Sequence, residues 1–259
     1  MFRQDQILES PQTVYSRQFR VSLIMTSVVL LSGGLDSAVL AAHEAQTSRV
    51  LPVYVSVGLA WEAAELAMLE RLLQAPVLAG TIEPLIRVEF TMRDVYAPTH
   101  WAIRGTPPAY DTPDEDVYLT GRNLVLLTKA GVVAAKHDAH RIALGPLAGN
   151  PFPDARPEFF ASMAKSLSLG LDYAIEVAAP FLEWEKEDVI KRGVELQVPF
   201  EHTLSCMNPQ AGASGASGAS GASGAPLHCG LCSKCRERRD AFVAAGVSDP
   251  TIYANRSPR

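Results

Sequence analysis

Two sets of residues have the types and spacing to do chemistry. The first is Ser32-Gly33-Gly34-Leu35-Asp36-Ser37, preceded by the apolar run Val28-Val29-Leu30-Leu31 and followed by a run of helical character from Ser37 to Ala45. Gly33 and Gly34 lack a Cβ, so the backbone can turn with positive φ and approach a ligand closely. Amides at the start of a helix converge on an anion. Ser32 and Ser37 add hydroxyl donors, and Asp36 adds a carboxylate able to orient the loop or hold Mg2+ beside a phosphate. Two glycines alone would fit an ordinary strand–helix turn. The full string between a strand and a helix points instead to nucleotide phosphates, although it is neither a Walker A loop nor a Gly-Xaa-Gly-Xaa-Xaa-Gly fingerprint.

The second set is Cys206 with Cys229-Gly-Leu-Cys232-Ser-Lys-Cys235. Cysteines two residues apart place sulfurs for tetrahedral coordination, and a distant fourth thiolate closes the site. That pattern favours a structural Zn2+ without an open position, with an iron–sulfur cluster or a redox Cys-Xaa-Xaa-Cys pair as the alternatives. Lys234, Arg236, Arg238 and Arg239 are close enough in sequence to offset the thiolate charge, and His228 reads as a bystander. Ala-Ser-Gly recurs four times over 213–224, and 211–225 reads as a disordered loop between ligands.

These residues need elements to hold them. Arg49 to Val57 is β-branched and apolar, a buried strand; Trp61 to Gln74 carries Leu66, Leu69, Leu72 and Leu73 at helical spacing; Leu85 to Phe90 is a third strand. The β-α-β-α-β order predicts right-handed crossovers and an α/β fold, a parallel sheet with helices on both faces and the ligand at the carboxyl ends of its strands. Thr91 to Tyr118, with prolines 98, 107, 108 and 113, reads as a lid or substrate wall, or else a solvated insertion.

Arg122 and Asn123 stand in the first turn of a helix that runs on to Lys136. A cation there opposes the helix dipole and calls for an anionic partner, either a nearby carboxylate or a ligand oxygen. Arg141 to Gly145 and Tyr173 to Ala178 are further strands. Between them Glu158 to Leu171 is a helix carrying Lys165-Ser166-Leu167, and Glu185 to Leu196 is a helix with Val189, Ile190 and Val194 inward. The expected organisation is an N-terminal extension (1–26), an ATP-binding α/β domain (27–200) and a zinc-binding helical C-terminal region (201–259).

The chain of 259 residues is 47% hydrophobic and 20% charged, an ordinary globular composition. A net charge of −5 argues against a broad nucleic-acid surface. No apolar run is long enough for a membrane span, and the first 26 residues carry Arg3, Asp5, Glu9, Arg17 and Arg20 where a signal peptide would be apolar, so a cytoplasmic protein is expected. Translation starting at Met25 is an alternative reading of that segment.

The Ser32–Ser37 string matches the PP-loop of the ATP pyrophosphatases. Together with Gly121-Arg122-Asn123, Lys165-Ser166-Leu167, Leu204-Ser205-Cys206, and Cys229, Cys232 and Cys235 followed by Arg238, it makes the chain resemble the 7-cyano-7-deazaguanine synthases (QueC) from about Ser27 to Phe242. Pro153-Asp154 with Arg156 is similar to a further segment of that family. The resemblance implies a C–N ligase that uses ATP and Mg2+ and contains Zn2+. It would convert 7-carboxy-7-deazaguanine and ammonia to the nitrile through an acyl-adenylate and an amide. It further implies that Ser32, Gly33, Gly34, Leu35, Asp36 and Ser37 hold phosphates. Asp36, Arg122 and Lys165 act in catalysis, Arg122, Asn123, Asp154 and Arg156 meet the substrate, and the four cysteines bind zinc. A homodimer is the family's usual assembly.

Two segments depart from the family. Gly58 to Glu65 stands where Gln-Arg-His and an acidic residue are usual, and Ala148 to Phe152 replaces Asp-Xaa-Ser-Gly-Tyr. A divergent ligase with another amine acceptor is therefore the alternative. A tRNA-modifying enzyme and a non-catalytic nucleotide-binding module fit less well.

Overall fold

The structure, a computed structural model, describes residues 25–212 and 224–255. The readings made for residues 1–24 and for most of the Ala-Ser-Gly tract lie outside the described residues. Five strands, β1 (Thr26–Leu30), β2 (Arg49–Ser56), β3 (Ile86–Glu89), β4 (Arg141–Ala143) and β5 (Glu176–Ala178), form one parallel sheet in the order β3-β2-β1-β4-β5. Val28 of β1 pairs with Leu51 on one side and Ile142 on the other. The chain leaves β1 toward β2 and later returns to place β4 on β1's free side. The strand order thus reverses at the carboxyl ends of β1 and β4, which opens a crevice there.

The helices are α1 (Leu35–Glu44), α2 (Glu62–Leu72), the single turn α3 (Trp101–Arg104), α4 (Arg122–Lys136), α5 (Pro157–Leu171), α6 (Lys186–Glu195) and α7 (Ser233–Ala245). Side chains on a strand alternate in direction, so β1 sends Val28 to a core shared with α4 and α5, and Val29 to one shared with α1, α6 and α7. A sheet covered on both faces needs apolar residues on both, which explains the near-continuous apolar runs. The four cysteines lie in the first core, and Phe242 of α7 is buried in the second, so the C-terminal region packs into both layers.

Some boundaries differ from the sequence expectation. Residues 211–212 and 224–225 are not loop. They belong to a two-stranded antiparallel sheet, β6 (Gln210–Gly212) with β7 (Gly224–Leu227), because backbone pairing needs no apolar side chains. Val194 is 49% exposed, while Val189 and Ile190 are buried. Gly193 takes its place inward, where α6 closes on α1. A Cβ at Gly193 would lie 2.8 Å from Val39 Cγ2 and overlap the Phe200 ring. Gly193→Ala is therefore expected to destabilise by about 1–3 kcal/mol through overpacking. Urea unfolding would check this, and an unchanged midpoint would contradict it.

Candidate active site

The loop after β1 folds as its residues require. Gly33 has φ 80°, and a Cβ there would stand 3.3 Å from Leu69 Cβ and 3.4 Å from the Glu65 carbonyl oxygen, so α2 packs directly on the loop. Ser32 Oγ accepts from the Gly34 amide (3.2 Å), and Ser37 Oγ donates to the Gly34 carbonyl (3.0 Å). From the other side, Leu204 N donates to the Gly33 carbonyl (2.8 Å).

A cavity of about 370 Å³ opens over this loop. Ser32, Gly34, Leu35, Asp36 and Ser37 line it at the strand ends, and Arg122, Asn123 and Asp154 line it from α4 and the turn before α5. Gly33 holds the loop without lining the cavity. Gly121, with φ 75°, turns the chain into α4 and points Arg122 inward. Asn123 fixes Asp154: its backbone N donates to Asp154 Oδ2 (3.1 Å) and its Nδ2 to the Asp154 carbonyl (2.9 Å). Burial raises the Asp154 pKa above the ordinary aspartate value, and the Asn123 amide offsets part of that rise.

Two buried polar atoms in the cavity have no protein partner, Arg122 Nε and Asp36 Oδ1. The anionic partner that Arg122 calls for is thus not a protein carboxylate bonded at Nε. It fits an oxygen of a ligand. A carboxylate oxygen without a protein partner beside the glycine-containing loop after β1 likewise fits a hard cation.

The structure does not bring Lys165 or Arg156 to this cavity; both are exposed. Helical geometry explains Lys165. Residues two apart on a helix point about 200° apart, and Leu167 is the one turned inward, against Gly131. The lysine that reaches the loop is Lys186, at the start of α6. Its Nζ lies 2.6 Å from Asp36 Oδ2 and 2.9 Å from Glu237 Oε1. Lys234 pairs in turn with Glu237 (2.6 Å), which joins α7 to the loop after β1 through a chain of charges.

The segments that depart from the family pattern both face the cavity. Trp61, at the N-terminus of α2, stacks on Trp101 of α3 with centroids 5.7 Å apart and planes 10° from parallel. Phe152 stacks on Tyr118 (4.9 Å, 23°). All four rings line the cavity. The 91–118 segment therefore forms a wall of the site, contributing Trp101, Val117 and Tyr118. Glu62 ties its own loop, accepting from Ser56 Oγ (2.6 Å) and from the amides of Val57 (2.8 Å) and Gly58 (2.9 Å). Glu65 is 7% exposed and accepts from Tyr54 Oη (2.9 Å).

Below the cavity, one ligand atom from each of Cys206, Cys229, Cys232 and Cys235 falls within 4.8 Å of all the others. The Cys232–Cys235 and Cys229–Cys235 sulfurs are 3.5 and 3.9 Å apart, against about 3.8 Å for four sulfurs tetrahedral about zinc at 2.3 Å. Backbone N–H groups of Cys229 and Asn208 point at Cys206 Sγ, and that of Leu231 at Cys229 Sγ. These donors favour thiolates. The four residues fit a tetrahedral metal. His228 uses Nε2 to accept from Ser205 N (3.1 Å) and remains outside the sulfur cluster, as expected. The nearby cations have other partners: Arg239 donates to the Gly230 carbonyl, Arg236 to that of Thr112. Arg238 is buried and clamps the 200–205 loop through Thr203 Oγ1 (2.9 Å), Ser205 Oγ (3.2 Å) and the Phe200 carbonyl (2.9 Å).

The family model described as queuosine biosynthesis protein QueC matches residues 26–246. The chain belongs to the QueC family. Among curated relatives, a 7-cyano-7-deazaguanine synthase of Methanothrix thermoacetophila is 32% identical over 240 residues, covering 88% of this chain and 98% of that protein. One of Hydrogenovibrio crunogenus is 33% identical over 251 residues, covering 90% and 97%. Among solved structures, a 4-thiouridine synthetase–RNA complex with bound ATP aligns at a TM-score of 0.40 and 16% identity, over 72% of this chain and 46% of that one. No helix among the described residues of this QueC-family chain is long and apolar enough to cross a membrane.

Proposed function

We propose that this chain makes 7-cyano-7-deazaguanine from 7-carboxy-7-deazaguanine, ammonia and ATP, as an enzyme of queuosine biosynthesis. One observation carries the reading: Arg122 Nε and Asp36 Oδ1, both buried without a protein partner, face one cavity with the phosphate-type loop. A carboxylate is a poor electrophile until its oxygen becomes part of a leaving group. In the proposed sequence the substrate carboxylate attacks the α-phosphate of ATP and pyrophosphate departs. Ammonia then attacks the acyl carbon, AMP leaves, and the amide remains. The amide oxygen then attacks the α-phosphate of a second ATP, pyrophosphate departs as the nitrogen gives up one proton, and loss of AMP with the second proton leaves the nitrile.

The loop amides and Ser32 and Ser37 would hold phosphate oxygens, with Lys186 and Arg122 stabilising charge as it builds on them. Asp36 would hold Mg2+, which supplies charge neutralisation at the phosphates. The four cysteines would hold Zn2+ as a structural brace. Arg122 and Asp154 are assigned to the substrate, with Asn123 positioning Asp154. Lys165 and Arg156 receive no contact role. The family's usual homodimer and a cytoplasmic setting are carried over as part of this proposal.

Mass spectrometry of a reaction with Mg-ATP, ammonium and the carboxy-deazaguanine tests it. AMP and nitrile together are the expected products. Trp61, Trp101, Tyr118 and Phe152 in the departing walls favour one second reading, adenylation of the same or a related acid with transfer to a different amine. AMP with no nitrile would support that reading, and no AMP at all would overturn carboxy-deazaguanine as the substrate.

A further inference from the structure

The reaction proposed above contains a proton that must be removed. At neutral pH ammonium predominates over ammonia, and ammonium has no lone pair with which to attack. An enzyme that uses it needs a carboxylate or imidazole in the cavity, free to accept a proton beside the acyl carbon. Most carboxylates lining this cavity are already engaged. Asp36 and Glu237 share Lys186, Glu62 receives three donors, and Asp154 is held by the Asn123 amide. Glu65 differs. It is buried on the cavity wall, no lysine or arginine among the described residues is hydrogen-bonded to it as Lys186 is to Asp36 and Glu237, and it takes one hydrogen bond, from Tyr54 Oη to Oε2 (2.9 Å), where Glu62 takes three. Its own helix turn rests on Gly33 of the phosphate loop, which places it close to where an adenylate would form.

We propose that Glu65 is the proton acceptor for the incoming amine, an inference that rests on the ligase reading above. An N–H bond of ammonium breaks and its proton passes to the Glu65 carboxylate. The freed lone pair forms the C–N bond, and the C–O bond to AMP breaks, its electrons leaving with AMP. The nitrogen gives its surplus proton to a phosphate oxygen of the departing AMP. Glu65 returns its proton to water once the product has left.

The groups facing Glu65 are Tyr54 of β2, Trp61 and Glu62 of α2 and its N-terminus, and Arg122 of α4. Burial pushes its pKa up, Arg122, the Tyr54 hydroxyl and the Trp61 N–H pull it back, Glu62 pushes it up again, and the balance stands at about 7. A base of that strength is matched to work near neutrality. The accepting form exists above that pKa, so the ammonium-dependent step slows as pH falls through about 7.

Glu65→Gln keeps an oxygen for Tyr54 but cannot take the proton. At pH 7 with ammonium, amide formation should fall by about 100-fold or more. Hydroxylamine, a weaker base that is largely unprotonated at this pH, should restore most of the rate, measured as hydroxamate. In the unmodified protein at fixed total ammonium, the ratio of ammonium-driven to hydroxylamine-driven rates should be level above about pH 7 and fall below it, whereas capture of free ammonia from solution would change it about tenfold per pH unit throughout, a measurement that needs no variant to fold. Equal losses with both amines in Glu65→Gln, or a ratio that climbs about tenfold per unit from pH 6 to pH 8 without levelling, would overturn the proposal. Acid-dependent ATP–pyrophosphate exchange reports the choice of acid separately, because that half-reaction precedes the amine.

Discussion

Lys186→Met is expected to lower AMP formation by about 100- to 1000-fold, the usual cost of losing one preorganised charge at a reacting centre. The argument starts from its position. Lys186 begins α6, where the capping box of Glu185 and Asp188 fixes the helix start, and its ammonium reaches across to Asp36 and Glu237. Burial alone would lower the pKa of this group. The two carboxylates outweigh burial and hold it above the ordinary lysine value, so it stays charged throughout the working range. Methionine keeps the stem and removes the charge. Asp36 and Glu237 are then left without their shared cation, and because the site is part-exposed the stability cost is only about 1–3 kcal/mol. AMP release by chromatography, alongside a melting curve, separates the two effects. Lys165→Met, on the outer face of α5, should leave AMP release unchanged. The reverse pattern would return the role to Lys165.

The second large effect is expected from Cys232→Ser. Cys232 is fully buried, caps the start of α7, and stands 3.5 Å from Cys235 and 4.0 Å from Cys206. Three thiols cannot close a structural tetrahedron, and metal binding in such a site is folding free energy. The damage should spread, because α7 carries Arg238, Arg238 clamps the 200–205 loop, and Leu204 of that loop holds Gly33. Loss of several kcal/mol would lower the melting temperature by about 10 °C or more, with ATP binding weakened at the same time. Elemental analysis and a thermal scan are the checks. Full metal content in the purified variant would remove Cys232 from the ligand set.

The layout of the sheet was legible in the sequence because burial on both faces demands unbroken apolar strands and helices with a marked inner side. The phosphate loop and the cysteine set were legible because each packs its chemistry into a few consecutive residues. An argument about helix dipoles drew attention to Arg122, which the structure places on the cavity wall, and that argument applies equally to Lys186, a cation in the first turn of α6. No short string marks that lysine, and its partners are 150 residues and 51 residues away in the chain. Lys165 was singled out by a matching tripeptide, which says nothing about which way a helix is turned, and in the structure it is exposed and away from the cavity. Glu62 and Glu65 entered the sequence reading only as members of the departing segment 58–65. Which of them is spent on backbone amides and which faces the cavity depends on the loop entering α2.

The aromatic pairing at Trp61 and Trp101 has a practical side. The chain contains three tryptophans, and the third, Trp184, stacks on Phe181 away from the other two. Two nearly parallel indoles 5.7 Å apart exchange excitation, and one of them rides on the segment that walls the cavity. The molecule therefore carries its own optical reporter. A ligand that shifts Trp101 against Trp61 changes the emission and the near-ultraviolet dichroism of the unlabelled protein, so the arrival of each substrate can be timed in a rapid-mixing trace.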